Sequence, residues 1–332
     1  MNAPQRWIIA LSPDGAARAV SEKTAAAFRE ILGTDSCLVF DPRPYRDGYK
    51  KLLKQPDETM VADLVNQSLA VSCFDFGATH CLVGALCPVT LFTLNLFRKR
   101  GIVTVHWFYE DFRRAGYWQE VLPGYDHFCA IQRGPLPSAC AAAHSRFHFL
   151  PTAGLSPDTI PEPVERCFDV SFVGVPSPYR IEVLEALAAA GLSVACGGEG
   201  WENYRGILQE GSFSSGWMSA NESLRQLSRS KLGINLSFAE PSDRESVHIS
   251  PRAYDILKAG ALLLTEESPL AAESLAGCSF QTFKSPAHAI EIARDLLTRY
   301  PGLEPPATEN SRTVRAGHTY RNRVLDILSY VN

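Results

Sequence analysis

The chain keeps a steady rhythm of short apolar runs and helix-length stretches, halts at a proline-rich span, and then begins the same rhythm again. Arg6 to Leu11 and Cys37 to Phe40 read as strands, with Val20, Thr24, Ala27, Phe28 and Ile31 at helical spacing between them. Further strands are expected at Cys81 to Ala85, Ile102 to His106, Phe128 to Ile131 and Arg146 to Leu150. Helices are expected at Glu58 to Leu69, Pro88 to Arg100, Phe112 to Val121 and Pro135 to Ala143, while Asp41 to Pro56 reads as a polar loop. Such alternation argues for a parallel α/β sheet with helices on both faces. Pro151, Pro157, Pro161 and Pro163 then fall in one short span, the best domain boundary in the chain. Past it, strands follow at Asp169 to Val173, Leu192 to Cys196, Lys231 to Leu236 and Ala261 to Leu264. Helices alternate with them at Pro178 to Ala190, Glu222 to Arg229, Pro251 to Gly260 and Pro286 to Tyr300. Pro301 to Pro306 reads as a linker, and a last helix covers Ser311 to Tyr330.

A chain of 332 residues exceeds what one hydrophobic core serves, so two doubly wound domains are expected, at residues 1–155 and 164–306. The formal charge of −4, from 32 basic and 36 acidic residues, leaves no footprint for nucleic acid or an anionic membrane. The nine cysteines are scattered through apolar contexts with no CxxC pair, as small buried hydrophobes in a reducing compartment would be. Trp7 to Leu11 is too short an apolar run for a signal peptide, so a cytoplasmic protein is expected. Cys81 to Phe97 carries no formal charge, but it falls short of a spanning length and contains Pro88 and Asn95, so no transmembrane segment is expected.

Open parallel sheets bind ligands beyond the carboxyl ends of their strands, so the residues there are the ones to inspect. Ser250 suits an N-cap, Pro251 a first helical position and Gly260 the position after a helix that runs into a buried strand. That short helix carries Arg252 on its first turn, where helix dipole and guanidinium together form an anion site; the other reading is a capped helix with a solvated arginine. Arg180, near the start of another helix, either reaches the same anion or is likewise solvated. Gly197-Gly198-Glu199-Gly200-Trp201 lets backbone approach a ligand, or is a plain turn. Glu110 and Asp111 follow the aromatic run Trp107-Phe108-Tyr109; a carboxylate there can act as a base with a raised pKa, and Asp111 can equally be a helix cap. His106 is the nearest histidine, a type of position more often structural than catalytic. The histidines form no spaced metal set, and there is no GxGxxG, Walker or GxSxG motif, so neither a metal nor a cofactor is expected.

Taken in order, Asp169-Val170-Ser171-Phe172-Val173-Gly174 with Arg180, Cys196 to Trp201, Ser230-Lys231-Leu232-Gly233-Ile234-Asn235-Leu236, Pro251 to Asp255 through Gly260 to Thr265, and His318-Thr319-Tyr320-Arg321-Asn322-Arg323 resemble the CgeB-like glycosyltransferases, relatives of the family 1-type enzymes of the GT-B fold. The first half matches only at Gly101 to Val105, Trp107 and Asp111. The resemblance implies two Rossmann-like domains facing across a cleft, an acceptor-side first domain, a second domain that binds a nucleotide-sugar, and residues 307–332 returning to the first domain as a helix. It implies that Arg180, Arg252 and Lys231 hold the donor diphosphate and that Gly174, Gly197, Gly198 and Asp255 hold the nucleoside. Asp255 stands where relatives carry a ribose-binding glutamate, and the position eight before it is Val247 rather than a second glutamate. The implied activity is metal-independent transfer of a sugar from a UDP-, GDP- or dTDP-linked donor to an acceptor hydroxyl on a glycan, a lipid-linked glycan or a protein. Asp111, Glu110 and His106 are the candidates for the base. A GT-B-shaped epimerase and a non-catalytic nucleotide-sugar binder are the alternatives.

Overall fold

Each half of the chain builds a six-stranded, all-parallel sheet. The computed structural model describes residues 5–52, 57–159, 164–208, 213–241 and 247–332. Two units form, one of Met1–Thr152 with Tyr320–Asn332 and the other of Ala153–Thr319. The first contains β1 (Trp7–Ala10), α1 (Gly15–Leu32), β2 (Cys37–Phe40), α2 (Arg43–Leu52), α3 (Glu58–Phe76), β3 (His80–Gly84), α4 (Leu91–Lys99), β4 (Val103–Phe108), α5 (Trp118–Val121), β5 (His127–Ala130), α6 (Leu136–Ala142) and β6 (Arg146–Phe149). The second contains β7 (Phe168–Val173), α7 (Pro178–Ala189), β8 (Val194–Gly198), β9 (Phe213–Ser215), α8 (Ala220–Ser228), β10 (Ser230–Asn235), α9 (Pro251–Lys258), β11 (Leu262–Glu266), α10 (Ala271–Ser274), β12 (Gln281–Phe283), α11 (Pro286–Thr298) and α12 (Tyr300–Gly317). The closing helix α13 (Tyr320–Val331) belongs to the first unit.

Strand order decides where a ligand fits. The first sheet runs β2-β1-β3-β4-β5-β6 and the second β12-β11-β10-β7-β8-β9. The winding direction therefore reverses between β1 and β3 in one unit and between β7 and β10 in the other, and a crevice opens at such switch points. Alternation along the second sheet sorts its core: Leu262 and Leu264 join the cluster under α7 and α11, while Leu263 joins Leu224, Tyr254 and Leu257 under α8 and α9. Full burial of each leucine contributes roughly 2 kcal/mol. Gly233 lets α9 lie close on β10, since a Cβ there would stand 2.5 Å from the Ile256 side chain.

Several expectations are corrected. Residues 43–52 form α2 although no residue of that helix is buried, so the apolar periodicity that would have announced it is missing. The helix expected over Phe112 to Val121 shrinks to the four residues of α5, preceded by turns. Pro301 opens α12 and Pro305 and Pro306 lie inside it rather than in a linker; proline's fixed φ is helical, but each interior proline gives up an N–H bond and crowds the carbonyl four residues earlier. The single helix expected over 311–330 breaks at His318–Thr319, and α12 stays with the second unit. Pro161 and Pro163 of the expected boundary lie outside the described residues. As expected, the last helix packs back on the first unit: α13 lies against α1 with Arg321 paired to Glu30 at 3.0 Å, and Tyr330 stacks on His148 at 4.0 Å between ring centroids.

Candidate functional site

At the switch point of the second unit, the carboxyl ends of β7 and β10 are bridged by two arginines. Arg180, on the first turn of α7, donates from Nε to Ser237 O at 3.0 Å, from Nη1 to Val175 O at 2.8 Å and from Nη2 to Leu236 O at 3.1 Å. Arg252, on the first turn of α9, donates from Nε to Val173 O and from Nη1 to both Asn235 Oδ1 and Leu236 O, each at 3.2 Å. Both guanidinium groups lie over the Phe172 ring, Arg252 at 4.5 Å from its centroid and Arg180 at 5.3 Å. Ser250 occupies the N-cap of α9, yet its hydroxyl makes no cap bond; it donates to Asn235 Oδ1 at 2.6 Å. The Ser250 side chain therefore does not cap the first amides of α9.

Glu266 and Asp255 both oppose the Arg252 charge, and Glu266 also faces Arg180. Glu266, the last residue of β11, is buried; its Oε2 accepts Ser237 N–H at 2.6 Å and its Oε1 has no partner among the described residues. Burial raises the Glu266 pKa against the pull of Ser237, Tyr179 and Arg180. Burial and then the Arg180 charge push the Arg252 pKa down, with Glu266 and Asp255 opposing. A guanidinium does not give up its proton in a protein, so this unfavourable charge is best relieved by an anion. Close approach is built in as well: a Cβ on Gly174, whose φ is +152°, would stand 2.6 Å from Arg252 Nη2. Asn235 and Glu266 lie in stretches marked in the sequence but carry no assigned role there, although a polar residue closing an apolar strand is the visible signal for both.

Other candidates are placed elsewhere. Lys231 is the second residue of β10, at the amino end, where it pairs with Asp169 at 3.0 Å. Four further residues of strand at about 3.3 Å each separate it from the arginines, so it is no part of their site. Asp255 is buried with its carboxylate already occupied, accepting Leu155 N–H at 3.2 Å, Ser156 N–H at 2.8 Å and the Ser156 hydroxyl. It clamps that segment and offers no free oxygen to a ribose, and burial raises its pKa. One turn on, buried Lys258 donates to Ser156 O at 3.0 Å and pairs with Asp158 at 2.6 Å. Gly197 and Gly198 end β8 rather than forming a loop; their missing side chains make room for Gln226 and Met218 and for the Gly174 carbonyl.

In the first unit, Glu110 follows β4, half-buried, and no hydrogen bond or ion pair of its carboxylate is found among the described residues. Burial raises its pKa, opposed by Arg114 and reinforced by Asp111. Asp111 is held by Arg113 through Nε at 3.0 Å and Nη2 at 2.7 Å, and it accepts the Arg113 N–H at 2.9 Å, so it caps a turn. His106 is core: fully buried, it stacks on Tyr125 at 4.7 Å, with Nδ1 at 2.9 Å from Val83 O and Nε2 at 3.3 Å from the Tyr117 hydroxyl. Both ring nitrogens are engaged, and burial lowers its pKa to about 4, so it stays neutral near pH 7.

A family model described as glycosyl transferase-like matches residues 180–329, the stretch that holds both arginines. No curated protein sequence matches the chain. Among solved structures, sucrose-phosphate synthase from Thermosynechococcus elongatus is similar at 9% identity with a TM-score of 0.69, covering 98% of each chain. Alr3699/HepE from Anabaena, solved in complex with UDP, is similar at 12% identity with a TM-score of 0.67, over 98% of this chain and 99% of that one. A Listeria monocytogenes protein described as a UDP-N-acetylglucosamine 2-epimerase is similar at 8% identity with a TM-score of 0.58, over 99% and 96%. The chain has the fold of the GT-B glycosyltransferases, and its residues 180–329 are similar to a glycosyl transferase-like domain.

Proposed function

We propose that this protein is a glycosyltransferase, standing near the CgeB-like enzymes, that moves a sugar from a nucleoside diphosphate donor onto an acceptor hydroxyl. The observation that carries the reading is Arg252, whose Nη2 has no hydrogen-bond acceptor among the described residues while its other donors are fixed, beside a second arginine and the start of α9, which the Ser250 side chain leaves uncapped. Fixed donors aimed where a leaving diphosphate gathers charge stabilise a transition state without reorganising. In this reading Arg180 sets the loops that frame the anion, and Arg252 and the α9 amides meet it without a divalent metal. Glu110 takes the acceptor proton, because Asp111 and His106 are committed elsewhere. UDP bound to HepE makes a UDP-sugar the first donor to try.

The test is turnover with UDP-, GDP- and dTDP-sugars against a panel of hydroxyl acceptors, with and without a chelator. Glycosylated acceptor unaffected by the chelator is expected. The epimerase-like neighbour supports a second reading. Isomerised sugar nucleotide formed from donor alone, with no acceptor, would establish that one in place of transfer.

A further inference from the structure

Four of the five tryptophans, Trp7, Trp107, Trp118 and Trp201, are buried, whereas Trp217 is 65% exposed. It lies just past the carboxyl end of β9, after Gly216 at φ +88°. The ends of β7, β8 and β9 are level, since Val173 pairs with Gly197 and Gly198 with Ser215. The turn holding Trp217 is pressed onto β8, because the Met218 sulfur stands 2.5 Å from where a Gly197 Cβ would be, and Gly197 O accepts Gly174 N–H at 2.7 Å. Strands about 4.8 Å apart put the end of β9 about 10 Å from Gly174 and Arg252, along a rim where β8 offers only Gly197 and Gly198.

We propose that Trp217 is the stacking platform for the flat heteroaromatic base of a nucleoside diphosphate whose phosphates lie at Arg252. The inference rests on the nucleotide reading of the arginine site and adds to it the group that holds the base. Six covalent bonds separate the α-phosphorus of a nucleotide from its base, and at about 1.2 Å of reach per bond they span most of the distance from Arg252 to β9. A base stacked on an indole shields one face of each ring from water, which explains a large aromatic left in solvent at the carboxyl edge of the sheet that carries Arg252.

Because the other tryptophans are buried, iodide-quenchable emission reports Trp217. UDP and GDP are titrated into the full chain with iodide present, and inorganic pyrophosphate serves as the baseless control. The expected result is that a nucleoside diphosphate shields Trp217 from iodide and pyrophosphate does not. Calorimetry should show Trp217→Ala weakening nucleotide affinity about ten- to hundredfold, Trp217→Phe restoring most of it, and neither variant changing pyrophosphate affinity. If nucleotides bind the wild-type chain but neither shield Trp217 nor lose affinity in Trp217→Ala, the platform is wrong and the nucleotide reading stands. If UDP and GDP fail to bind the wild-type chain, both are overturned.

Discussion

The same topological place is used in opposite ways by the two units. In the second, the ends of β7 and β10 are joined by two arginines that fix most of their donors on backbone carbonyls and leave Arg252 Nη2 without an acceptor among the described residues. In the first, the ends of β1 and β3 are closed by groups that answer one another: the Ser12 hydroxyl meets both Ala85 O and the hydroxyl of buried Tyr109 at 2.5 Å, and Arg18, which donates to Ser12 O, is paired with Asp41 at 2.8 Å. A switch point is thus only an opportunity. Whether it becomes an anion site depends on whether the side chains that fill it end with donors and charge to spare, or cancel one another.

The sharpest way to break this comparison is to remove one filler from each place. Arg252→Ala is expected to lower turnover by about a hundredfold, with a smaller loss of donor affinity, and lysine should restore only part because it lacks the planar fork. Tyr109→Phe, at the corresponding place in the first unit, should leave kcat within a few-fold, on the order of the loss of one neutral hydrogen bond. Equal effects in steady-state kinetics would end the contrast.

Asp255→Ala comes next, in stability rather than turnover. It strands the buried Leu155 and Ser156 amides and the Ser156 hydroxyl, and a loss of about 3 kcal/mol in urea denaturation is expected. Hydrogen exchange should place that loss in the second unit.

Acid should then separate the units. His80, His106 and His148, all in the first unit, have pKa values lowered from 6.5 to about 4, in each case chiefly by burial. A histidine with a depressed folded pKa takes up its proton more readily when unfolded. Its contribution is therefore complete above 6.5 and lost as pH falls towards 4. The buried Asp255 and Glu266 of the second unit have raised values, so their contribution is present at low pH and lost as pH rises. Exchange protection in the first unit should fall first between pH 6.5 and 4.5, and His148→Phe, which keeps the stack on Tyr330, should flatten that fall. The smallest effect belongs to Lys231→Met, at the far end of β10: less than about 1 kcal/mol of stability, and an unchanged KM for the donor.

The sequence was legible wherever a side chain's task is local. Gly33 ends α1 and Pro178 opens α7 where residue type alone says they should, and the strand-helix alternation announces both sheets. Arg252 is legible for the same reason, as a first-turn residue of a helix that runs into a buried strand. Asp255 is not, since the partners that occupy it lie about a hundred residues upstream, and no spacing within a helix reports them. Lys231 misleads because proximity in sequence to a strand end says nothing about which end. The three-residue strands β9 and β12 are too short to show a period at all.

Gly84 gives the closed switch point a consequence for inheritance. A Cβ on Gly84 would stand 2.7 Å from the Tyr109 hydroxyl and 3.0 Å from the Ser12 hydroxyl, while its backbone is not in the left-handed region that demands glycine. The phenol is the tightest of these neighbours, with the Ala10 carbonyl behind it at 3.3 Å. Positions 84 and 109 therefore form one inherited character. A diverging lineage that replaces Tyr109 with phenylalanine removes the tightest contact facing an alanine at position 84, and one that gains alanine first carries that clash until the hydroxyl goes. Gly84→Ala should weaken the first unit alone and be rescued by Tyr109→Phe, and descendants of this chain should show the two changes travelling together.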